Sequence, residues 1–236
     1  MTKANHFRIF VVTCLLTVVV AGGAFAGVVN PVVDFGSGFA LENGRTVDNH
    51  VSVAGDTLMI VGHVVAFNQP FDDLNPNDPA KEYTYVYKGL VSLGTAVSGS
   101  GSFVFYDTEY SGGTLEIYCD TAMNSDFAVP ATFMDGDLIL AASLSGFVIS
   151  TKSFNCSGTQ NSFMTFTGGS LFNRVSAGGT GFSGITTGLF SVCASFVDVP
   201  RQAEGYFGLS DSKVDVDISV PAERKTWGEI KRDSRK

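Results

Sequence analysis

Glu82-Tyr83-Thr84-Tyr85-Val86-Tyr87-Lys88 is the stretch that decides the fold class of this chain. Its side chains alternate, because successive residues of a β-strand point to opposite faces. Tyr83, Tyr85 and Tyr87 therefore share one face, and the residues between them share the other. The alternation predicts a β-strand with one aromatic face.

The remainder of the sequence predicts an all-β fold. Val214, Val216, Ile218 and Val220 alternate with polar residues, and helical periodicity is nearly absent before Pro221. The chain has 236 residues, of which 27 are Gly and 20 are Phe. Short alternating runs separated by turn signals favour an antiparallel β-sandwich, here jelly-roll-like, with roughly ten or more strands spaced every 8–12 residues. A β-barrel built from the same strands is the alternative.

The first 26 residues predict export. Lys3 and Arg8 precede an apolar run, and Ala24-Phe25-Ala26 places small residues where signal peptidase cleaves. We expect a signal peptide at residues 1–26, a single β-sandwich domain at 27–220 and a charged tail at 221–236. The expected location is secreted or at the cell surface, including the periplasm. An uncleaved anchor is the alternative, although the apolar run is shorter than the roughly 20 residues of a membrane-spanning helix.

Charge and hydropathy narrow the range of partners. Residues 27–220 carry 20 acidic and 7 basic side chains, and the whole chain has a net charge of −8. Since phosphates would be repelled, nucleic acid is excluded as a partner. No apolar run near 18 residues follows the signal, so no transmembrane span is expected in the mature chain. A glycan or a component of the cell envelope remains as the expected partner.

Three cysteines remain after the predicted cleavage, namely Cys119, Cys156 and Cys193. An exported protein meets oxidising conditions, so one disulfide is expected. The sequence leaves the pairing open, since three cysteines allow three single pairings. Three buried thiols are the alternative, because free cysteine packs as a small apolar residue.

An acidic loop is the candidate metal site. Asp72, Asp73, Asn75, Asn77 and Asp78 place five side-chain oxygen donors within seven residues, and Glu82 follows shortly after. Calcium takes six to eight oxygen ligands, so calcium is the candidate cofactor. Turn formation is the alternative, since Asp, Asn and Pro are also the residues of exposed turns.

The tyrosine strand and one carboxylate pair are the other candidate sites. Tyr83, Tyr85 and Tyr87 would form an aromatic platform for a sugar if they faced solvent, whereas core packing is the usual role of such rings. Asp135 and Asp137 flank a turn glycine, and paired carboxylates hydrolyse glycosides when they face each other across a cleft. The sequence shows no Gly-x-Ser-x-Gly elbow, phosphate loop or His-Glu-x-x-His spacing.

A pattern of an apolar residue, a turn rich in Gly or Asp, and a Leu recurs at residues 53–60, 110–117, 133–140 and 166–173. Glycine permits the positive φ that tight hairpin turns require. Each copy therefore predicts the turn of a β-hairpin, and the irregular spacing argues against a propeller or solenoid.

The C-terminal segment Thr226-Trp227-Gly228-Glu229-Ile230-Lys231 resembles the ending of a group of exported, largely uncharacterised bacterial β proteins. Residues 82–90 and 165–169 are also similar to segments of that group. The resemblance implies bacterial export and no particular activity.

Together these patterns predict an exported, non-enzymatic structural or binding module at the cell surface or outside the cell. A carbohydrate-binding module with a structural calcium ion is the first alternative. A secreted hydrolase that uses paired carboxylates is the second.

Overall fold

A computed structural model describes residues 31–216 of the chain. The predicted signal peptide, the end of the predicted last strand and the predicted tail at 221–236 lie outside the described residues. The barrel strands are β1 (Val33–Glu42), β2 (Thr57–Phe67), β3 (Glu82–Ser100), β4 (Phe103–Asp120), β5 (Asp137–Lys152), β6 (Ser157–Gly168), β9 (Ser183–Ser191) and β10 (Gly208–Val216). The smaller elements are the strand pair β7 (Ser176–Ala177) and β8 (Thr180–Gly181), the helix α1 (Val199–Ala203), and the 3-10 turns Pro130–Phe133 and Phe172–Val175.

Within residues 31–216, eight strands form one closed antiparallel barrel in the order β1-β2-β3-β4-β5-β6-β9-β10. Strand β10 closes the barrel against β1, where Val33 pairs with Val214 and Ala40 pairs with Gly208. The all-β prediction is confirmed, and the barrel alternative is the architecture found. The prediction of a jelly-roll-like sandwich is wrong.

The physical reason for this correction lies in strand pairing and curvature. Alternation shows which face of a strand is buried, but a sandwich and a barrel bury the same faces. Closure depends on the pairing of the first and last strands, which are far apart in the sequence. In β1, register shifts between Asp34 and Gly38 occur against both neighbouring strands, and such bulges bend a strand and increase its twist.

Side chains fill the barrel interior. Tyr85 and Tyr87 are fully buried there, beside Phe35. The Tyr85 ring lies over Gly38, where an added Cβ would stand 2.0 Å from the tyrosine hydroxyl oxygen. A glycine at position 38 is therefore required by the ring, and the tyrosine strand is anchored at the centre of the core.

A second apolar cluster covers the outer face of β1 to β3. Phe39 on β1 and Val61 on β2 point outward and pack beneath Tyr206 and Phe127. The Tyr206 hydroxyl donates a hydrogen bond to the carbonyl of Phe127 at 3.0 Å, and the Arg201 guanidinium lies 4.1 Å from the centre of the Phe127 ring. The segments that follow β4 and β9 therefore form a lid on one side of the barrel and leave the outer faces of β5, β6 and β9 uncovered by this cluster.

Cys156 and Cys193 lie at disulfide distance, with a Cα–Cα separation of 5.3 Å. They join the start of β6 to the segment after β9, 37 residues apart in sequence. Cys119 lies outside this pair and is half-buried. The structure is thus consistent with the predicted disulfide and selects one pairing from the three.

Replacing both Cys156 and Cys193 with serine is expected to lower the free energy of unfolding by about 2–4 kcal/mol, because a crosslink over a loop of this length restricts the unfolded chain. Denaturant unfolding of the double variant checks the value. The control is a thiol titration of the wild-type protein after removal of the predicted signal. The protein is denatured for this titration but not reduced. One titratable thiol is expected, whereas three would contradict the pairing.

Candidate ligand-binding groove

The acidic loop between β2 and β3 has local partners in the structure. Arg174 forms an ion pair with Asp73 through both carboxylate oxygens. The Asn75 side-chain oxygen accepts a hydrogen bond from the backbone N–H of Asn77, and that of Asp78 accepts one from Ala80. These bonds are typical of turn chemistry.

Among the described residues, the loop carboxylates do not converge with other potential metal ligands. There, the carboxylate and sulfur ligand atoms that converge within 4.8 Å belong to Asp48, Cys156 and Cys193, of which the two cysteines are already paired. Asp72 and Asp78 have no place in that group. The calcium site at residues 72–78 stays a prediction.

Calcium is expected to leave the thermal unfolding temperature of the wild-type protein unchanged, because Asp73 already pairs with Arg174 and because Asn75 and Asp78 accept hydrogen bonds from the turn backbone. The measurement compares unfolding with EDTA and with excess Ca²⁺. A ligand that binds only the folded state adds about 2.7 kcal/mol at one hundred times its dissociation constant. A clear rise in the unfolding temperature with Ca²⁺ would contradict this expectation if an Asp72→Asn/Asp78→Asn variant no longer showed it.

The predicted tyrosine platform lies inside the barrel. Tyr83 is 5% exposed, and Tyr85 and Tyr87 are 0% exposed. Burial raises the pKa of Tyr87 to about 12, and its hydroxyl makes hydrogen bonds with Thr186 and Ser212. The three rings therefore have the core role that is usual for such side chains, and they do not present a surface to solvent.

A histidine, a serine and a carboxylate meet on the outer face, an arrangement that no sequence spacing revealed. His63 Nε2 lies 2.8 Å from Ser125 Oγ, and Ser125 Oγ donates to Glu82 at 2.7 Å. Glu82 also accepts the backbone N–H of Ser125 at 2.9 Å. Burial lowers the pKa of His63, and the nearby Glu82 partly opposes that effect.

This trio differs from a nucleophilic triad. In a triad the histidine accepts the serine proton and the acid orients the other ring nitrogen. Here the Ser125 hydroxyl donates its hydrogen bond to Glu82, so His63 Nε2 is the donor in its hydrogen bond with the serine oxygen. The arrangement anchors the segment after β4 to β2 and β3.

Of the predicted carboxylate pair, Asp135 accepts a hydrogen bond from Asn124, and Asp137 begins β5.

One end of the barrel contains a buried ionic network. The Glu42 carboxylate accepts hydrogen bonds from Arg45 Nη1 at 2.7 Å and from the Tyr110 hydroxyl at 3.0 Å, and Ser52 donates to its other oxygen. The Arg45 guanidinium lies 4.2 Å from the centre of the Phe207 ring. Burial raises the pKa of Tyr110. Because these groups satisfy one another, the network holds the loop between β1 and β2 across the barrel end.

His50 follows in the same loop. Its Nδ1 lies 2.9 Å from Thr151 Oγ1, and its ring stacks on Tyr106 at 4.5 Å. Burial lowers the pKa of His50, and the Arg45 charge lowers it further, with Asp48 acting in the opposite direction.

Stability is expected to fall as the pH drops below about 6.5, the ordinary histidine pKa. His50 and His63 have lowered pKa values in the fold, so the unfolded chain binds more protons below that pH and is favoured. The loss continues down to the folded pKa values. The check is chemical denaturation from pH 8 to pH 5. In a His50→Asn variant the free energy of unfolding should fall less steeply with decreasing pH. An unchanged pH dependence would contradict the contribution of His50.

The outer face of the barrel carries a row of directly paired residues that point away from the core. Asp107 on β4 pairs with Ser150 on β5, and Ser150 pairs with Thr159 on β6. Thr159 pairs with Leu189 on β9, and Leu189 pairs with Asp211 on β10. We call these five residues the outer row. With strands about 4.8 Å apart, it is roughly 19 Å long.

A groove of 370 Å³ follows the first part of the outer row, from Asp107 to Leu189. Phe105, which is 39% exposed, and Leu189, which is 65% exposed, are its large apolar side chains. Ser98 and Lys152 add polar groups to its lining. The groove lies on the side of the barrel that the lid leaves open.

The polar side chains that line the groove can form hydrogen bonds with a ligand. Within residues 31–216, the side chains of Asp107, Ser150, Lys152 and Thr159 make no hydrogen bond or ion pair with one another or with other residues. The polar groups of the Glu42 network, in contrast, bond to one another. Sequence reasoning missed the groove, because alternation shows that these residues point outward but not that they align.

No protein-family model, curated protein or solved structure matches this chain. Its function must therefore be inferred from its own geometry. The described residues contain no helix with the length and apolar character that a membrane crossing requires.

Proposed function

We propose that this protein is an exported, non-enzymatic binding module that holds a carbohydrate chain in the groove on its outer face. The observation that carries the proposal is the groove along the outer row. Its polar side chains at Asp107, Ser150 and Thr159 make no hydrogen bond or ion pair within residues 31–216. They lie beside the exposed apolar side chains of Phe105 and Leu189. Binding sites combine apolar walls with a few polar groups that fix orientation. A sugar offers both hydroxyl groups and apolar C–H faces.

The negative charge of the protein favours an uncharged ligand. Asp107 and Asp211 lie towards opposite ends of the outer row, and residues 27–220 carry a large excess of acidic side chains. Carboxylates accept hydrogen bonds from sugar hydroxyls and repel polyanions. A neutral polyhydroxyl chain therefore fits this surface better than an acidic polysaccharide does.

The non-enzymatic part of the proposal rests on the roles of the candidate catalytic groups. Ser125 donates a hydrogen bond to Glu82 in an anchoring arrangement, and Asp135 accepts a hydrogen bond from Asn124. Export rests on the signal-like residues 1–26. The proposed groove does not depend on calcium, because the residues that line it belong to β3, β4, β5, β6 and β9.

A glycan array probed with the purified wild-type protein tests the proposal. Binding to neutral oligosaccharides is expected, with reduced signals for a Phe105→Ser variant. Phe163→Ser is the matched control, since Phe163 is 68% exposed on β6 but does not line the groove. A blank array, or equal loss in both variants, would overturn the proposal.

Absence of turnover is tested on the same oligosaccharides by chromatography of the reaction mixture. We expect the bound chains to be recovered intact. Hydrolysis that an Asp135→Asn/Asp137→Asn variant abolishes would favour the hydrolase alternative.

A further inference from the structure

We propose that the bound sugar carries an N-acetyl group, which is recognised in a cleft next to Leu189; this inference rests on the proposed function and deepens it. The cleft has a volume of 240 Å³ and continues from the groove, because Leu189 and Ser157 line both. A ligand that lies along the outer row therefore reaches the cleft at the β10 end.

The cleft differs chemically from the groove. Phe196, which is 51% exposed, and Leu209 form its apolar walls together with Leu189. A bare sugar ring, with hydroxyl groups around its rim, would leave these walls poorly matched. A small apolar substituent such as a methyl group would be removed from water by them.

Polar groups at the edge of the cleft match an amide. Asp211 ends the outer row and lines the cleft, where its carboxylate can accept the N–H of an acetamido group. The hydroxyl groups of Ser37 and Ser157 also line the cleft, and a hydroxyl can donate to the amide carbonyl. Within residues 31–216 these three side chains make no hydrogen bond or ion pair.

The combination specifies the substituent. Apolar walls alone would accept any alkyl group, and hydroxyls alone would accept a further sugar hydroxyl. A carboxylate acceptor beside two hydroxyl donors and an apolar wall fits an N–H, a carbonyl and a methyl group in one small unit. An O-acetyl ester lacks the N–H group that would donate a hydrogen bond to Asp211.

Two neutral hexasaccharides with the same β-1,4 linkage test the inference. Chitohexaose carries N-acetyl groups, and cellohexaose carries hydroxyl groups at the same positions. Isothermal titration of the wild-type protein is expected to show at least about tenfold tighter binding of chitohexaose, the size of one hydrogen bond to a charged group.

The variants separate the cleft from the groove. Phe196→Ser should reduce the preference for chitohexaose and leave cellohexaose binding unchanged, because Phe196 lines the cleft and lies outside the outer row. Asp211→Asn should weaken chitohexaose binding more than cellohexaose binding, while the Phe163→Ser control alters neither. Equal binding of both hexasaccharides would overturn the inference and leave the proposed function standing. Failure of both to bind would overturn the inference too, and the glycan array then decides the proposed function separately.

Discussion

Replacing Arg45 with methionine is expected to lower the free energy of unfolding by about 3–5 kcal/mol. The substitution leaves the Glu42 carboxylate, whose side chain is 0% exposed, without its cation. It also removes hydrogen bonds from Arg45 to the carbonyls of Asn49 and His50, which hold the loop across the barrel end. Urea unfolding at pH 7 measures the effect.

A second substitution separates the loss of a partner from the value of the pair. In an Arg45→Met/Glu42→Leu variant no uncompensated charge is buried, so much of the lost stability should return. Lys213→Met is the surface control, because Lys213 is exposed and its ion pair with Asp215 has a length of 3.5 Å. If Arg45→Met lowers the free energy of unfolding no more than this control does, the Glu42 network does not stabilise the loop across the barrel end.

Replacing Tyr87 with alanine is expected to lower the free energy of unfolding by about 3–5 kcal/mol, the usual cost of truncating a buried aromatic ring. Tyr87 is 0% exposed and packs against Phe35 and Phe147. The cavity would open in the middle of the barrel, where the surrounding strands have little freedom to collapse. Urea unfolding again provides the measurement.

Tyr87→Phe isolates the hydroxyl. It keeps the ring but removes the hydrogen bond to Thr186, which has a length of 2.7 Å, and should cost about 1–3 kcal/mol. Phe163→Ala is the control for an exposed ring and should stay within about 0.5 kcal/mol of the wild type. A small effect of Tyr87→Ala would contradict the interior placement of the tyrosine strand.

Local strand structure could be predicted from the sequence because alternation is a local property. The run from Tyr83 to Tyr87 lies in β3, and its three tyrosines face the interior as period-two alternation predicts. Val214 and Val216 lie buried in β10. Barrel closure could not be predicted, because the pairing of β1 with β10 joins residues about 180 positions apart.

Glycine-rich turns were a weaker guide. The pattern at residues 110–117 predicts a hairpin turn, but these residues lie inside the continuous strand β4. Gly112 and Gly113 have positive φ values of 68° and 91°, so the same backbone freedom bends a long strand here instead of reversing the chain. The pattern identified the glycines correctly as sites of unusual backbone and assigned them the wrong structure.

The candidate site shows the same division between local and long-range information. Asp72, Asp73 and Asp78 lie within seven residues of sequence, a spacing that predicts a metal site, although Asp73 instead pairs with Arg174. Asp107 and Asp211 are about 100 positions apart and meet one ligand surface only through strand register. A surface built across five strands leaves no signal in any one of them.

The central claim is that the groove and cleft along the outer row bind a sugar chain. Its most direct test is a two-dimensional amide NMR titration of the purified protein with chitohexaose and cellohexaose. The account predicts chemical-shift changes concentrated at Asp107, Ser150, Thr159, Leu189 and Asp211 and their strand neighbours. Changes concentrated elsewhere, such as around the Glu42 network, or no changes with either hexasaccharide, would contradict it.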